Sequence, residues 1–244
     1  MTDTIVLYGV ASPNVVKVGI MLEELGLPYE LCHVGVFKGE QFAPEFLALN
    51  PLAKVPVLVD PALGKPVIES GAILMYLGER TGKFYPAAGP ARYDVMQWVM
   101  VQMANMGPMF GQLNHFRSVR KGADTYAVAR FTELSRQLYK QVDDRVRSAP
   151  WIAGGDYSIA DMAMYPWALY LERQGFEAKD FPAMIAWRDK IAARPAVARS
   201  KVRFDEAFSQ MATTDRKTAT DSDMDRLFRR TPSAPANDYG ILRG

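Results

Sequence analysis

Three short stretches within the first seventy residues combine residue types that can do chemistry. The first is Gly9-Val10-Ala11-Ser12-Pro13-Asn14, which lies between a strand pattern and a helical pattern. A helix N-terminus leaves backbone N–H groups unpaired and carries the positive end of the helix dipole, so such a loop favours an anion, a thiolate included. The Ser12 hydroxyl and the Asn14 amide add two side-chain donors; the same residues also read as a plain N-cap followed by turn chemistry. The second is Asn50-Pro51-Leu52-Ala53-Lys54-Val55-Pro56, where a proline enters a strand and removes a ladder donor. A cis Val55–Pro56 bond would let Val55 offer N–H and C=O to a peptide-like ligand; a trans edge-strand proline is the alternative. The third is Glu69-Ser70-Gly71, in which a helix-starting serine receives a carboxylate and Glu69 pairs with an ammonium, although capping by Ser70 also accounts for it. The chain has one cysteine, Cys32, and two histidines, His33 and His115, far apart in sequence. An internal disulfide is therefore impossible and no metal site is expected, so any thiol chemistry needs Cys32 or a borrowed thiol.

The elements that must position these residues follow from hydrophobic periodicity. Residues 4–9 (TIVLYG) form a first strand, 14–25 a helix with Gly26 as its C-cap signal, 29–36 a second strand and 40–49 a short helix. Residues 55–59 and 66–69 form two strands joined by a turn, and 70–81 a helix capped by Ser70. This β-α-β-α-β-β-α order predicts an α/β layer with a mixed four-stranded sheet, the order of a thioredoxin-like fold. In thioredoxin-fold redox proteins the loop after the first strand carries a reactive Cys-Pro element; Ser12 stands there instead, so the chain does not supply that thiol. After a Pro/Gly linker the strand signal disappears, and helical spacing over 91–106, 124–148, 159–174, 181–193 and 196–211 predicts an all-α second half. The expected organisation is a thioredoxin-like domain over 1–84, a linker over 85–92, a helical domain over 93–211 and a polar tail over 212–244. Within the helical half, Ser158 and Asp161 make an S-x-x-D capping box, a folding element. The tail reads as a disordered extension or as an arm docked on the helical domain or a second subunit.

Composition narrows the function classes. The 29 basic and 27 acidic residues leave a net charge of +2, which argues against an electrostatic nucleic-acid binder. No stretch reaches the roughly 18 uninterrupted apolar residues of a membrane helix. Met1 to Thr4 does not read as the start of a signal peptide, so a cytoplasmic location is expected.

Pro51-Leu52-Ala53-Lys54-Val55-Pro56, Glu69-Ser70-Gly71-Ala72-Ile73 and Ser158-Ile159-Ala160-Asp161, in this order, resemble the cytosolic glutathione transferase superfamily over about residues 4–205. The Ser12-Pro13-Asn14 loop, Lys38 to Phe46, Gly107-Pro108-Met109-Phe110-Gly111-Gln112 with His115-Phe116, and Pro150-Trp151 look like the bacterial Nu-class group, associated with disulfide-bond reductase activity. The resemblance implies glutathione as co-substrate and a homodimer. It also implies roles by position: Ser12 and Asn14 at the glutathione sulfur, Gln41 at the glycyl end, and Val55 with Lys54 at the cysteinyl backbone. Glu69 and Ser70 would hold the γ-glutamyl group, and Arg130 would reach glutathione, unless it is an ordinary solvated helix charge. Tyr8 is the rival for the sulfur contact and is expected to face the core. His115, Phe110, Gln112, Phe116 and Trp167 are candidates for a second-substrate pocket, with ordinary helix packing as the alternative for each. The function implied is reduction of a small disulfide by glutathione. Conjugation or ether cleavage of an aromatic electrophile, and a non-catalytic glutathione-binding module, are the rival readings.

Overall fold

The computed structural model describes residues 4–119, 125–234 and 236–243. Its first half is built on a four-stranded sheet ordered β2-β1-β3-β4, from β1 (Ile5–Gly9), β2 (Tyr29–His33), β3 (Val57–Val59) and β4 (Pro66–Ile68). β1 and β2 are parallel, while β3 runs antiparallel to β1 and to β4, so the sheet is mixed. The period-two alternation of β1 sorts its side chains between two layers. Ile5 and Leu7 enter the main core with Val15, Val18, Met21, Leu74 and Leu77, whereas Tyr8 joins a smaller cluster around Val34, Phe46 and Val57 on the other face.

Helix α1 (Pro13–Leu25) follows β1 directly. Ser12 is its N-cap in extended backbone, Pro13 is pre-set at the first helical position, and Gly26 closes it in the left-handed region at φ 66°. Two 3₁₀ turns, Val36–Lys38 and Glu40–Phe42, lead to α2 (Pro44–Leu49), and α3 (Ser70–Thr81) closes the half. The second strand ends at His33 rather than Val36, since Gly35 opens the first 3₁₀ turn. The helix expected over 40–49 is interrupted at Ala43, whose extended backbone suits the residue before Pro44.

The described residues of the second half carry no strand. Helices α4 (Pro90–Val101) and α5 (Gly107–Ser118) are joined by a π-helical segment, Gln102–Met106. Pro108 lacks an N–H and would crowd a regular helical turn, and the widened turn before it relieves both problems. Helices α6 (Thr125–Ser148), α7 (Ile159–Ala168), α8 (Pro182–Ala192) and α9 (Pro195–Thr218) complete the bundle. Every residue of α7 is buried, and all but Asp161 are apolar or aromatic, as suits a helix in the middle of a core. The capping box forms: the Ser158 hydroxyl accepts from Ala160 N–H, and the Asp161 carboxylate accepts from Ser158 N–H at 3.0 Å.

Helix α9 continues to Thr218, past the point where the composition turns polar, because a solvated helix face is itself polar. Beyond it, α10 (Asp221–Leu227) and α11 (Gly240–Arg243) form an arm. Met224 and Tyr239 of the arm are buried with Val119 and Ala219, and Phe37 packs against them from the sheet half. The halves are also joined by ion pairs from the region around α9 to α1: Arg194 to Glu24, and Arg199 and Arg203 to Glu23.

Candidate active site

A cleft of about 350 Å³ opens between the two halves. From the sheet half it is walled by Asn14, Asn50, Lys54, Val55, Pro56, Glu69 and Ser70. Each comes from one of the three stretches singled out in sequence, and the fold brings them to one place. Asn14 lies in the first turn of α1. The 50–56 loop is folded by Asn50, whose Nδ2 donates to Lys54 C=O at 2.7 Å and whose Oδ1 accepts from Leu52 N–H at 3.0 Å. These bonds hold Ala53 at a positive φ of 54° and deliver Lys54 and Val55 to the cleft, with Val55–Pro56 cis. Glu69, and not Ser70 as expected, is the N-cap of α3; it holds φ 64°, a conformation that a non-glycine residue keeps only when its surroundings over-determine it, as happens at ligand sites. Ser70 is buried beside it, its hydroxyl 3.6 Å from Met103 Sδ.

The opposite wall comes from the helical half: Gln102, Met103, Gly107, Pro108, Gln112 and Trp167. The π-helical turn places Gln102 and Met103 here. Gly107 packs closely beside it: a Cβ at that position would stand 2.9 Å from Gln102 Nε2 and 3.3 Å from Gln102 C=O, so the Gln102 side chain would have to shift. Trp167 donates its indole N–H to Asn14 Oδ1 at 3.2 Å, across the two halves. That bond assigns the Asn14 amide, leaving Nδ2 as the end able to donate to a ligand. Behind the wall, fully buried Lys17 donates from Nζ to Gln102 Oε1 at 2.5 Å and lies 3.7 Å from Met103 Sδ. Burial pushes its ammonium down to about 7, with Glu69 opposing the shift.

The remaining sequence candidates are placed as follows. Ser12 stands at the N-cap next to Asn14; its hydroxyl makes no capping bond, and it is not among the cleft-lining residues. Gln41 is not brought to the cleft: it is buried in its own turn, where Nε2 donates to Val36 C=O at 3.1 Å. Arg130 is exposed near the start of α6, also outside the cleft, because the outer face of that helix is turned to solvent. Tyr8 does not line the cleft, and burial raises its hydroxyl pKa, with Cys32 adding to the shift, so it stays neutral. Cys32 is half-buried on β2, its thiol also pushed up by burial. Phe110 is fully buried core, and Phe116 stacks on Phe131. Gln112 and Trp167 do line the cleft, and His115 lies farther out beside Gln112.

Lys17, Asn50, Gln102 and Met103 carried no functional expectation. The Gly107-Pro108 pair is the local signal that could have marked the π-helical turn. Among the described residues no group of His, Cys, Asp and Glu is arranged to hold a metal ion. No helix among them is long and apolar enough to cross a membrane.

Residues 3–79 match the glutathione S-transferase N-terminal domain and residues 98–195 the glutathione S-transferase C-terminal domain. The chain belongs to the glutathione S-transferase family. A relative from Escherichia coli K12, the disulfide-bond oxidoreductase YfcG, is 39% identical over 202 residues, covering 81% of this chain and 94% of its own. Among solved structures, a glutathione transferase family member from Pseudomonas fluorescens with two glutathione bound superimposes with a TM-score of 0.76 at 39% identity, covering 81% of this chain and 92% of that one. A glutathione transferase from Pseudomonas putida with one glutathione disulfide per subunit gives a TM-score of 0.74 at 35% identity, over 81% and 90% of the two chains. The family match ends at residue 195, so the arm formed by α10 and α11 lies beyond it.

Proposed function

We propose that this protein is a glutathione-dependent disulfide reductase, in which the cleft binds glutathione and activates its thiol. The observation that carries this reading is the Asn14 amide, oriented by Trp167 in the first turn of α1, two residues after Ser12, which stands where redox chains of this fold place a cysteine. Relatives with two glutathiones or one glutathione disulfide bound support it, as does the disulfide-bond oxidoreductase name of a 39% identical relative. Val55 takes the cysteinyl backbone with Lys54 beside it, and Glu69 and Ser70 take the γ-glutamyl group. Asn14 faces the sulfur, and a contact from Ser12 requires its hydroxyl to turn in from the N-cap. Gln41 acts by holding the 36–42 loop, and a contact from Arg130 requires its long side chain to reach in from the surface.

A free cysteine thiol has a pKa of about 8.5, so only a few per cent is thiolate at neutral pH. Lowering it by about two units needs roughly 2.7 kcal/mol of preferential anion stabilisation. One or two charge-assisted hydrogen bonds of about 1.5–3 kcal/mol each, from Asn14 Nδ2 and the helix N-terminus, meet that need. The thiolate then attacks one sulfur of a disulfide. A glutathionyl mixed disulfide forms, the old S–S bond breaks and the leaving thiolate takes up a proton. A second glutathione thiolate attacks the mixed disulfide, releasing the other half as a thiol and leaving glutathione disulfide.

Glutathione is plentiful in the reducing cytoplasm, where we place the protein. The exposed Tyr93 and Met100, two turns apart on the same face of α4, fit the contact surface of a homodimer, which light scattering tests. The activity is tested with a panel of mixed disulfides, aryl halides and aryl ethers. Turnover of disulfides that falls about a hundredfold in Asn14→Ala and hardly changes in Cys32→Ser is expected. Equal activity in Asn14→Ala would overturn the reading. Turnover of aryl halides or ethers alone would assign a conjugating or ether-cleaving transferase, and no turnover with no glutathione binding a non-catalytic module.

A further inference from the structure

A second chamber, about 700 Å³, lies outside the cleft and shares Lys54 and Gln112 with it. Its outer wall is the arm: Leu227, Phe228 and Arg229 face Leu52 of the 50–56 loop and His115 of α5. We propose that the arm completes the binding site for the second substrate, and that this vestibule selects a disulfide carrying a carboxylate and an apolar body. The inference rests on the disulfide-reductase reading of the adjoining cleft.

The arm is built as a fixed wall. Thr220 and Asp223 form a capping box at the start of α10. Asp225 binds Arg230 at 2.6 Å and accepts from the Tyr239 hydroxyl, and Asp238 N–H donates to Val119 C=O at 3.0 Å. Tyr239 in turn stacks on Phe228, with ring centroids 5.9 Å apart and planes 13° apart. Phe228 sits with its ring centroid 5.1 Å from that of His115. Arg226 lies over the Phe42 ring at 4.3 Å, which pins α10 to the sheet half. Arg229 holds a positive φ of 52° and reaches Leu52 C=O with Nη2 at 3.3 Å, bridging the arm to the loop that presents Val55.

The chemistry of the lining sets the substrate class. Lys54 and Arg229 contribute cations to the lining, and among the described residues no carboxylate lines it. Leu52, Leu227 and Phe228 supply apolar surface next to them. A group entering here has its anionic end between two cations and its body against an aromatic ring, with its reactive sulfur directed past Gln112 toward Asn14. The match to the C-terminal domain stops at residue 195, so this wall lies outside the matched domains.

The test compares two disulfides of similar size, dithiodipropionate and bis-hydroxyethyl disulfide, with glutathione as reductant. The preference for the carboxylated substrate, taken as the ratio of the two kcat/KM values, is expected to fall about five- to tenfold in Arg229→Ala. Arg229→Lys should retain most of it, and Phe228→Ala should weaken both substrates through KM rather than kcat. An unaltered ratio in Arg229→Ala overturns the proposal. So does a chain ending at residue 219 that turns over both disulfides faster, since the arm would then be an obstructing lid. If the wild type reduces neither disulfide, the cleft reading fails on its own. Calorimetric binding of dithiodipropionate to the glutathione-loaded protein then decides the vestibule, with equal affinity in wild type and Arg229→Ala counting against it.

Discussion

Trp167 of the helical half and Asn14 of the sheet half are joined by one hydrogen bond, indole N–H to amide Oδ1, at 3.2 Å. The bond couples the orientation of the amide in the first turn of α1 to the packing of the two halves. Trp167→Phe keeps the ring and removes the donor, so the Asn14 amide is free to turn its oxygen toward the thiolate. Turnover of disulfides is expected to drop about tenfold, less than in Asn14→Ala. The acidic limb of the kcat–pH profile should move to higher pH, because the thiolate loses a fixed donor. A drop in turnover with an unmoved profile would mean that Trp167 acts only in packing.

Tyr8 gives the opposite expectation. Its ring belongs to the cluster of Val34, Phe46 and Val57, and burial raises the hydroxyl above its ordinary value. A tyrosine that activated a thiol would line the cleft. Tyr8→Phe is therefore expected to hold kcat and kcat/KM within about twofold of wild type, by steady-state assay with any disulfide that the protein reduces. A loss comparable to that of Asn14→Ala would return the sulfur contact to Tyr8.

Asp161 is buried and serves the fold. Its carboxylate accepts from Ile152 N–H at 3.0 Å, Ser158 N–H at 3.0 Å and Trp187 Nε1–H at 2.8 Å. Asp161→Ala leaves these donors unpaired in the core of the helical half. A loss of about 3–5 kcal/mol is expected by urea unfolding, with glutathione affinity of the folded fraction little changed. Asp161→Asn keeps an acceptor and should lose less. A stability change under about 0.5 kcal/mol in the alanine variant would show that water replaces the carboxylate without penalty.

How much of this was legible in the chain follows from where each signal resides. The order of elements along the first half and the first helix with its Gly26 stop rest on local periodicity and a local cap, and these formed as the pattern implied; the helix over 70–81 formed too, but its N-cap is Glu69 and not Ser70. The sheet-side wall of the cleft was likewise carried by contiguous motifs, Asn14, Lys54 with Val55, and Glu69 with Ser70. The opposite wall was not, because Trp167 meets Asn14 across 153 positions and no local pattern encodes such a pairing. Gln41 and Arg130 show the converse difficulty: a position can match a motif while its side chain turns into its own loop or out to solvent. In the arm, the Thr220-x-x-Asp223 spacing was a helix-start signal of the same kind as Ser158-x-x-Asp161, hidden by the polar composition around it.

Lys17 links the stability of the protein to pH in an unusual direction. It is completely buried one turn along α1 from Asn14, tethered to Gln102, and desolvation lowers its pKa from 10.5 to about 7. The folded protein thus releases this proton near pH 7, whereas the unfolded chain keeps it until the ordinary lysine value. Between those limits unfolding takes up a proton, so the contribution of this group makes the fold more stable as pH rises. Below the lower limit both states are protonated and the fold carries the whole penalty of a buried ammonium. Lys17→Met removes the titration. The stability of the wild type relative to this variant, from urea unfolding at several values between about pH 6 and 9, should climb above neutrality by up to about 1.4 kcal/mol per pH unit. Curves that stay parallel throughout would show that Lys17 keeps its charge in the fold. In that case its ammonium, held against Gln102 at the back of the cleft, would stand as a fixed positive charge behind the glutathione site.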